Sequence, residues 1–464
     1  MTKEQEEKLL ASLYDRLHDA VTYAPSGKAG AFPQNIYFQM TKNTVLKPED
    51  FADMVSPNNP NGDQLKSEFF SGMVDALPNP GALWSDSQNK LSDVLETILA
   101  NANTDSKPSE SQLKDYKSAY DFLNNAITVK DRLGDKQKVV RSDIAVEYDD
   151  AQSAYVAAVQ GYRNAYNGYD LTKKEDQRAW NATAPALQNL VNQTWNAWVR
   201  AGKQEVEEAQ ATLNSTINDA VRFAIDQAKA ICNPQSLYRL PSNMPGGGRP
   251  WFPSYANPTE WARADVKGSK LKFSSSYLNT TESSAAHTYG LEGSGSYGLF
   301  HASVEVGGKY EERNKHMDAQ NLTLEAELIA VTIVRPWFNP LLFGMNSWWV
   351  SGYDKNGISN GDPANPKGRI PLIPAGFVLA KNVKVTADFS EEDKKFISST
   401  LDSKVGGGWG PFTLKAKYGH SISKEEAHSK FDGGTLEIPG LQLIAWISTV
   451  TPASPPLAAK ALGA

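Results

Sequence analysis

Gly293-Ser294-Gly295-Ser296-Tyr297-Gly298 carries the letters of a dinucleotide-binding fingerprint. That chemistry needs a strand before the run and a helix after it, so that the helix amino terminus meets the pyrophosphate. Here an alternating strand pattern follows instead. The related run Gly406-Gly407-Gly408-Trp409-Gly410 likewise has no helix formers behind it. A glycine-rich hairpin or bulge is the expected role.

Histidine is sparse, at 18, 287, 301, 316, 420 and 428, and none has the paired spacing of a zinc site. His316 and His428 fall 112 positions apart, at equivalent points of a self-similar segment. Such a pair could share a ligand or sense pH, but two exposed loop histidines of a repeat explain it more simply. Cys232 is the only cysteine, which leaves no intramolecular disulfide and no thiolate cluster. Neither a Gly-x-Ser-x-Gly elbow nor a supported Cys/His arrangement is present. Asp149-Asp150 and Glu391-Glu392-Asp393 sit among polar residues and read as solvated faces or helix starts, not as carboxylates tuned for proton transfer. No catalytic residue, metal ligand or cofactor is expected.

Two aromatic patterns point to contact instead. Tyr148, Tyr155, Tyr162 and Tyr169 recur every seven residues, with Ala151, Ala158 and Ala165 interleaved. A strict heptad keeps one seam toward a partner helix, as in a coiled coil, and alanine lets the backbones approach. The seam either packs within the chain or recruits a second molecule. Trp337, Trp348 and Trp349 cluster beside Phe338, Leu341, Leu342 and Phe343. Such a group is usually core, and if exposed it is a contact surface for a subunit, a receptor or a membrane.

These residues need elements to carry them. Leu9, Leu10, Leu13, Leu17 and Val21 have helical spacing, and helical patterns return near 84–101 and 109–131. Thr183-Ala184-Pro185 is expected to open the longest helix, with proline suited to its first position. Its apolar stripe runs to Ile231, roughly 70 Å at 1.5 Å per residue, with the tyrosine helix as its antiparallel partner. Prolines and Gly246-Gly247-Gly248 then interrupt any helix between Asn233 and Trp261.

The rest of the chain is written twice. Tyr297-Gly298-Leu299-Phe300 matches Trp409-Gly410-Pro411-Phe412, and Glu327-Leu328-Ile329-Ala330 matches Gln442-Leu443-Ile444-Ala445, with strand phase preserved between. Phe300 and Phe412 are the expected core anchors of the two copies. The predicted fold class is α+β: an elongated amino-terminal helical bundle or hairpin, followed by an internally duplicated antiparallel, sandwich-like β module. The expected divisions are a helical domain at 1–232, a linker at 233–261, β repeats at 262–334 and 380–450, a tryptophan-rich insert at 335–379 and a flexible tail at 451–464.

Charge and hydropathy narrow the function. The formal net charge is −6. Residues 1–235 hold 24 basic and 32 acidic side chains, and the remainder 23 and 21, so neither half has the basic surface of a nucleic-acid binder. No run of about 18 apolar residues suggests a spanning helix, and the charged amino terminus lacks the apolar core of a secretory signal. Cytoplasmic residence is expected, with release by another route left open. The reading is a non-enzymatic, self-assembling or target-docking structural protein. Its expected partner is a further copy of the chain, with another protein or a membrane surface as the other candidates. The alternative is a soluble pore-forming or insecticidal-type toxin, because Leu271 to Lys309 is an amphipathic stretch rich in Ser, Thr, Gly and Tyr, as barrel-forming hairpins are.

Overall fold

The computed structural model describes residues 36–41, 44–56, 59, 61–105, 110–131, 134–167, 169, 174–215, 217–233, 236, 238–244, 248–263, 265–274, 300–306, 309–315, 320–402, 407–417 and 426–459, together with Lys8, Leu13 and Leu17. It is a mixed α+β protein whose sheets are antiparallel.

Two long strands, β12 (Gln320–Val334) and β14 (Leu372–Asp388), form the middle of a nine-stranded sheet. β20 (Leu441–Val450) pairs with the other side of β14, and β1 (Ile36–Met40) closes against β20. β8 (Tyr255–Asn257) and β9 (Ser269–Ser274) share the far edge of β12. Alternation along β12 explains its surroundings. Leu322, Leu324, Ala326 and Leu328 enter one cluster, while Ile329, Val331 and Ile333 enter another on the opposite face. Successive strand side chains point to opposite faces, so one strand serves two cores staggered along its length. In β14 the phase shifts. Val378 and Ala380 share the first cluster with Val383, Val385 and Ala387, and the ladder slips beside Asn382, whose φ is +53°. An asparagine at positive φ in a bulge inserts the odd residue this shift requires.

A five-stranded sheet covers the first face. Its order is β11 (Lys309–Lys315), β10 (Phe300–Val306), β15 (Gly407–Trp409), β16 (Phe412–Lys417) and β17 (Glu426–His428). Phe300 lies opposite Trp409, and Trp409 opposite Phe412, so three buried rings form a row across three strands. The turn between β15 and β16 uses Gly410 at φ +53° followed by Pro411. Gly407 to Gly410 of the second glycine run thus form a hairpin with a bulge at Gly407/Gly408, and Gly406 and the first run lie outside the described residues. Leu13 and Leu17 are buried in the same core. The matched segments fall on strands: 300–306 and 412–417 flank β15 in this sheet, and 327–330 and 442–445 flank β14 in the other.

The second face is closed by α1 (Gln64–Val74), which begins with Asp63 accepting from Lys66 N at 3.0 Å. Its Phe70 meets Trp261, which also lies tilted against Phe51 and edge-on to Phe377. Beyond lies a helical layer: α2 (Leu91–Asn101), α3 (Glu110–Leu123), α4 (Asp143–Asn167), α5 (Lys174–Arg200), α6 (Lys203–Ser215) and α7 (Ile217–Cys232). Arg335 ties layer to sheet. Arg335 is half-buried, and its guanidinium donates to Pro374 O and Val74 O, each at 2.5 Å, beside Asp75. Burial pushes Arg335 down to about 10 against the pull of Asp75, and burial likewise raises the Asp75 carboxyl despite its bonds from Ser92.

Four features of the structure bear on the expected organisation. The helix expected from Pro185 to Ile231 is divided among α5, α6 and α7, and Pro185 sits inside α5. Gly202, at φ +78°, ends α5, and a Cβ there would come within 2.8 Å of Ile144 Cδ1. Residues 1–232 are not purely helical, since β1 pairs with β20 from Ile36↔Thr449 to Met40↔Ala445. The described residues of 233–261 pack against the rest of the chain: Arg239 meets Glu96 at 2.8 Å, and Tyr238, Phe252 and Ser254 are buried. Residues 451–459 are pinned too, with Ile358 N donating to Ser454 O and Leu457 N to Trp348 O.

Candidate interaction surface

The tyrosine heptad of α4 packs against tryptophans of α5. Tyr148 meets Trp198 at 5.6 Å between ring centroids, and Tyr155 meets Trp198 at 5.5 Å and Trp195 at 5.2 Å. Further along, Tyr162 and Tyr169 meet Trp180 at 5.3 and 5.9 Å. Rising numbers on one helix meet falling numbers on the other, so the pair is antiparallel. Offset and edge-on ring pairs of this kind add about 0.5–1.5 kcal/mol each beyond burial. Tyr148 and Tyr155 are buried by these contacts, and Tyr162 and Tyr169 are half-buried. The seam is therefore filled within the chain. As a surface for a second molecule it has no free tyrosine face at 148 or 155.

The tyrosine hydroxyls look outward for partners. Tyr148 donates to Glu207 Oε1 at 3.4 Å, and Tyr169 Oη lies 3.4 Å from Thr183 Oγ1. Burial, then the negative charge of Glu207, pushes the Tyr148 phenol up to about 12. Burial alone raises Tyr155.

α5 is held mainly along one stripe, in which Val191 and Trp198 are buried, and its flanks face solvent. Leu190, Trp195 and Val199 on those flanks are 47%, 39% and 48% exposed. At the carboxyl end of α5 a two-residue turn at Ala201 and Gly202 interrupts the helix before α6 begins, forming an elbow. An open groove of about 440 Å³ lies there, lined by Trp195, Val199, Lys203, Gln204, Glu207 and Glu208. Lys203 Nζ stands 4.9 Å from the Trp198 ring centroid and 5.5 Å from that of Trp195, and lies 2.6 Å from both Glu207 carboxylate oxygens. The Trp198 indole N–H is buried with no hydrogen-bond partner among the described residues.

Val146 and Phe122 add to this end of the layer, at 44% and 37% exposed. Ser142, one turn before Val146, donates to the Phe122 carbonyl, and Ile144 touches the Gly202 turn. Of the seven large apolar side chains exposed among the described residues, five therefore belong to the helical layer, and two of these, Trp195 and Val199, line the elbow groove.

The tryptophan-rich insert has a different role from the exposed surface considered for it. Trp337 and Trp348 are buried; Trp337 packs on Phe252 at 4.9 Å, and the Trp348 indole donates to Met345 O at 2.8 Å. They belong to the core under the helices, because β13 (Trp348–Val350) pairs with β5 (Ala102–Thr104) and draws the insert inward. Trp349 is half-buried on the same strand. Phe300 and Phe412 are fully buried between the sheets.

The remaining candidates for chemistry are dispersed. Asp149 is bound by Arg141 at 3.0 Å. Asp393 and Ser390 exchange bonds at the start of the helix Glu391–Asp402, a reciprocal cap. His428 is exposed opposite Lys415, and His316 lies outside the described residues. Burial pushes the Cys232 thiol up to about 12. Among the described residues no group of three or more His, Cys, Asp or Glu could hold a metal, and no helix is long and apolar enough to cross a membrane.

The elbow itself was not singled out by the sequence reading. Its signal was available in Trp195-x-x-Trp198 in phase with the tyrosine heptad, followed by Lys203 and Glu207 four residues apart. No protein-family model, curated protein or solved structure matches the chain.

Proposed function

We propose that this protein works by association rather than by catalysis, and that further copies of the chain dock through the elbow of the helical layer. The observation that carries the reading is that Phe122, Val146, Leu190, Trp195 and Val199, all exposed, fall on the helical layer, and that two of them, Trp195 and Val199, line one groove. Single exposed leucines are ordinary on a protein surface, whereas a group of apolar side chains with tryptophan among them has the composition of an interface centre. The α4–α5 pair serves as the helical hairpin that carries this surface. The β base is a duplicated, sandwich-like module, a reading supported by the matched segments supplying β10 and β16 to one sheet and β12 and β20 to the other. A cytoplasmic setting is in keeping with the single, unpaired and buried Cys232.

Sedimentation velocity over a concentration series tests the proposal in lipid-free buffer. The wild-type chain is expected to form a defined oligomer, and Leu190→Asp or Val199→Asp to shift it toward monomer without loss of helical signal. A wild-type chain that stays monomeric at every concentration overturns the reading. Release of trapped dye from liposomes by such a monomer would put the membrane-attacking alternative in its place.

A further inference from the structure

We propose that the elbow groove is a binding site for a quaternary ammonium group, and that Lys203 fills this seat in the free protein. Trp195 and Trp198 stand perpendicular, at 90° and 5.5 Å, and so present two faces to one point. Tyr155 backs both, edge-on to Trp195 and stacked on Trp198. The negative face of an aromatic ring attracts a cation within about 6 Å of its centroid, tryptophan most strongly. Lys203 Nζ satisfies that distance to both rings at once. The chain itself thus demonstrates that the seat accepts an ammonium.

The charge of the lining favours a cation as well. Glu207 and Glu208 face the groove against the single positive charge of Lys203. Lys203 and Tyr148 already occupy the Glu207 carboxylate, and the Gln204 amide donates to Glu208 Oε1 at 2.8 Å. An incoming primary ammonium would have to compete for those oxygens. A quaternary ammonium needs none of them, because it binds by ring faces and net negative field alone. Lys203 can vacate the seat, since it lies at the start of α6 beside the Gly202 turn and its side chain is 21% exposed. Its flexible stem lets the ammonium swing to water while Glu207 stays at the rim.

This site extends beyond the association reading and shares with it Trp195 and Val199, but not Leu190. The test is isothermal titration of the full-length chain with choline chloride, with sodium chloride at equal ionic strength as the blank. A saturable heat is expected for the wild type. Lys203→Ala should bind about tenfold more tightly, because removal of the resident cation opens both ring faces. Trp195→Ala should lose the binding. Should Lys203→Ala lose its helical circular dichroism, Lys203→Met keeps the stem and carries the same expectation. Leu190→Asp should keep choline binding while losing self-association, which separates the two proposals. Phosphatidylcholine vesicles that sediment with the protein would assign the group to a lipid headgroup, and choline binding without co-sedimentation to a free small cation. Absence of saturable heat in both the wild type and the Lys203 variants overturns the proposal, as does unchanged affinity in Trp195→Ala.

Discussion

Tyr116, Tyr148, Tyr155 and Tyr238 are buried in the cluster built by the helices, while the two large clusters on the faces of the nine-stranded sheet are built, among the described residues, on phenylalanine and tryptophan, with Tyr37 set apart in a small cluster with Leu372 and Val450. A phenol brings area together with a hydroxyl that must find an acceptor. In the helical layer Tyr148 finds Glu207 and Tyr238 finds the Val139 carbonyl. Between the sheets, Trp409 stacks on Phe412 and Phe300 meets Phe389 and Phe396, flanked by aliphatic side chains of β12 and β14. The sheet pair is sealed by apolar packing. The helical layer is packed but edged with titratable and charged groups, and the exposed surface concentrates there.

The largest test of this contrast is a cavity in the sealed half. Phe412→Ala is expected to cost about 3–5 kcal/mol, because Phe412 is fully buried and its neighbours are fixed by strand pairing. Chemical denaturation with fluorescence detection reads it. A loss below about 1 kcal/mol would mean that the core relaxes as a surface does.

A smaller loss is expected in the helical half. Ala158 is 7% exposed in the same cluster as Tyr155 and Trp198, and Ala158→Leu should cost about 1–3 kcal/mol by overpacking the seam. Unchanged thermal stability would mean that the two helices part freely, which would weaken the distinction from the sheets.

The smallest effect is nil at neutral pH and grows only in alkali. Burial raises the phenols of Tyr148 and Tyr238 to about 12, above the ordinary value of 10.0. A folded value above the unfolded one means that the stabilisation is complete below pH 10 and is lost as pH rises toward 12. Ultraviolet absorbance at the tyrosinate band should therefore rise together with loss of helical signal in that window. Tyrosinate formation with helices intact would show that the hydroxyls are open to solvent.

Much of this contrast was legible in the residues. Seven-residue spacing fixed which face of α4 carries Tyr148, Tyr155 and Tyr162, and preserved strand phase marked 300–306, 327–330, 412–417 and 442–445 as strands. Other features were hidden for physical reasons. The apolar stripe continues through Trp198, Ala201, Val206 and Ala209, so it masked the turn that Gly202 makes at positive φ. Nothing local in Ile36–Met40 reveals that its ladder partner lies at Ala445–Thr449. Trp337 and Trp348 have the composition of a core cluster that could also serve as a surface, a choice decided only when β13 joins β5. The elbow needed three segments brought together: the end of α5, the start of α6 and the tyrosines of α4.

Hydrogen–deuterium exchange of the wild-type chain at low and high concentration tests most directly whether that elbow is where copies meet. Association through it predicts slower exchange at high concentration in Leu190–Arg200 and Lys203–Ser215, with β11 and β17 unchanged. Protection gained instead at those sheet edges, or nowhere in the chain, would contradict the account.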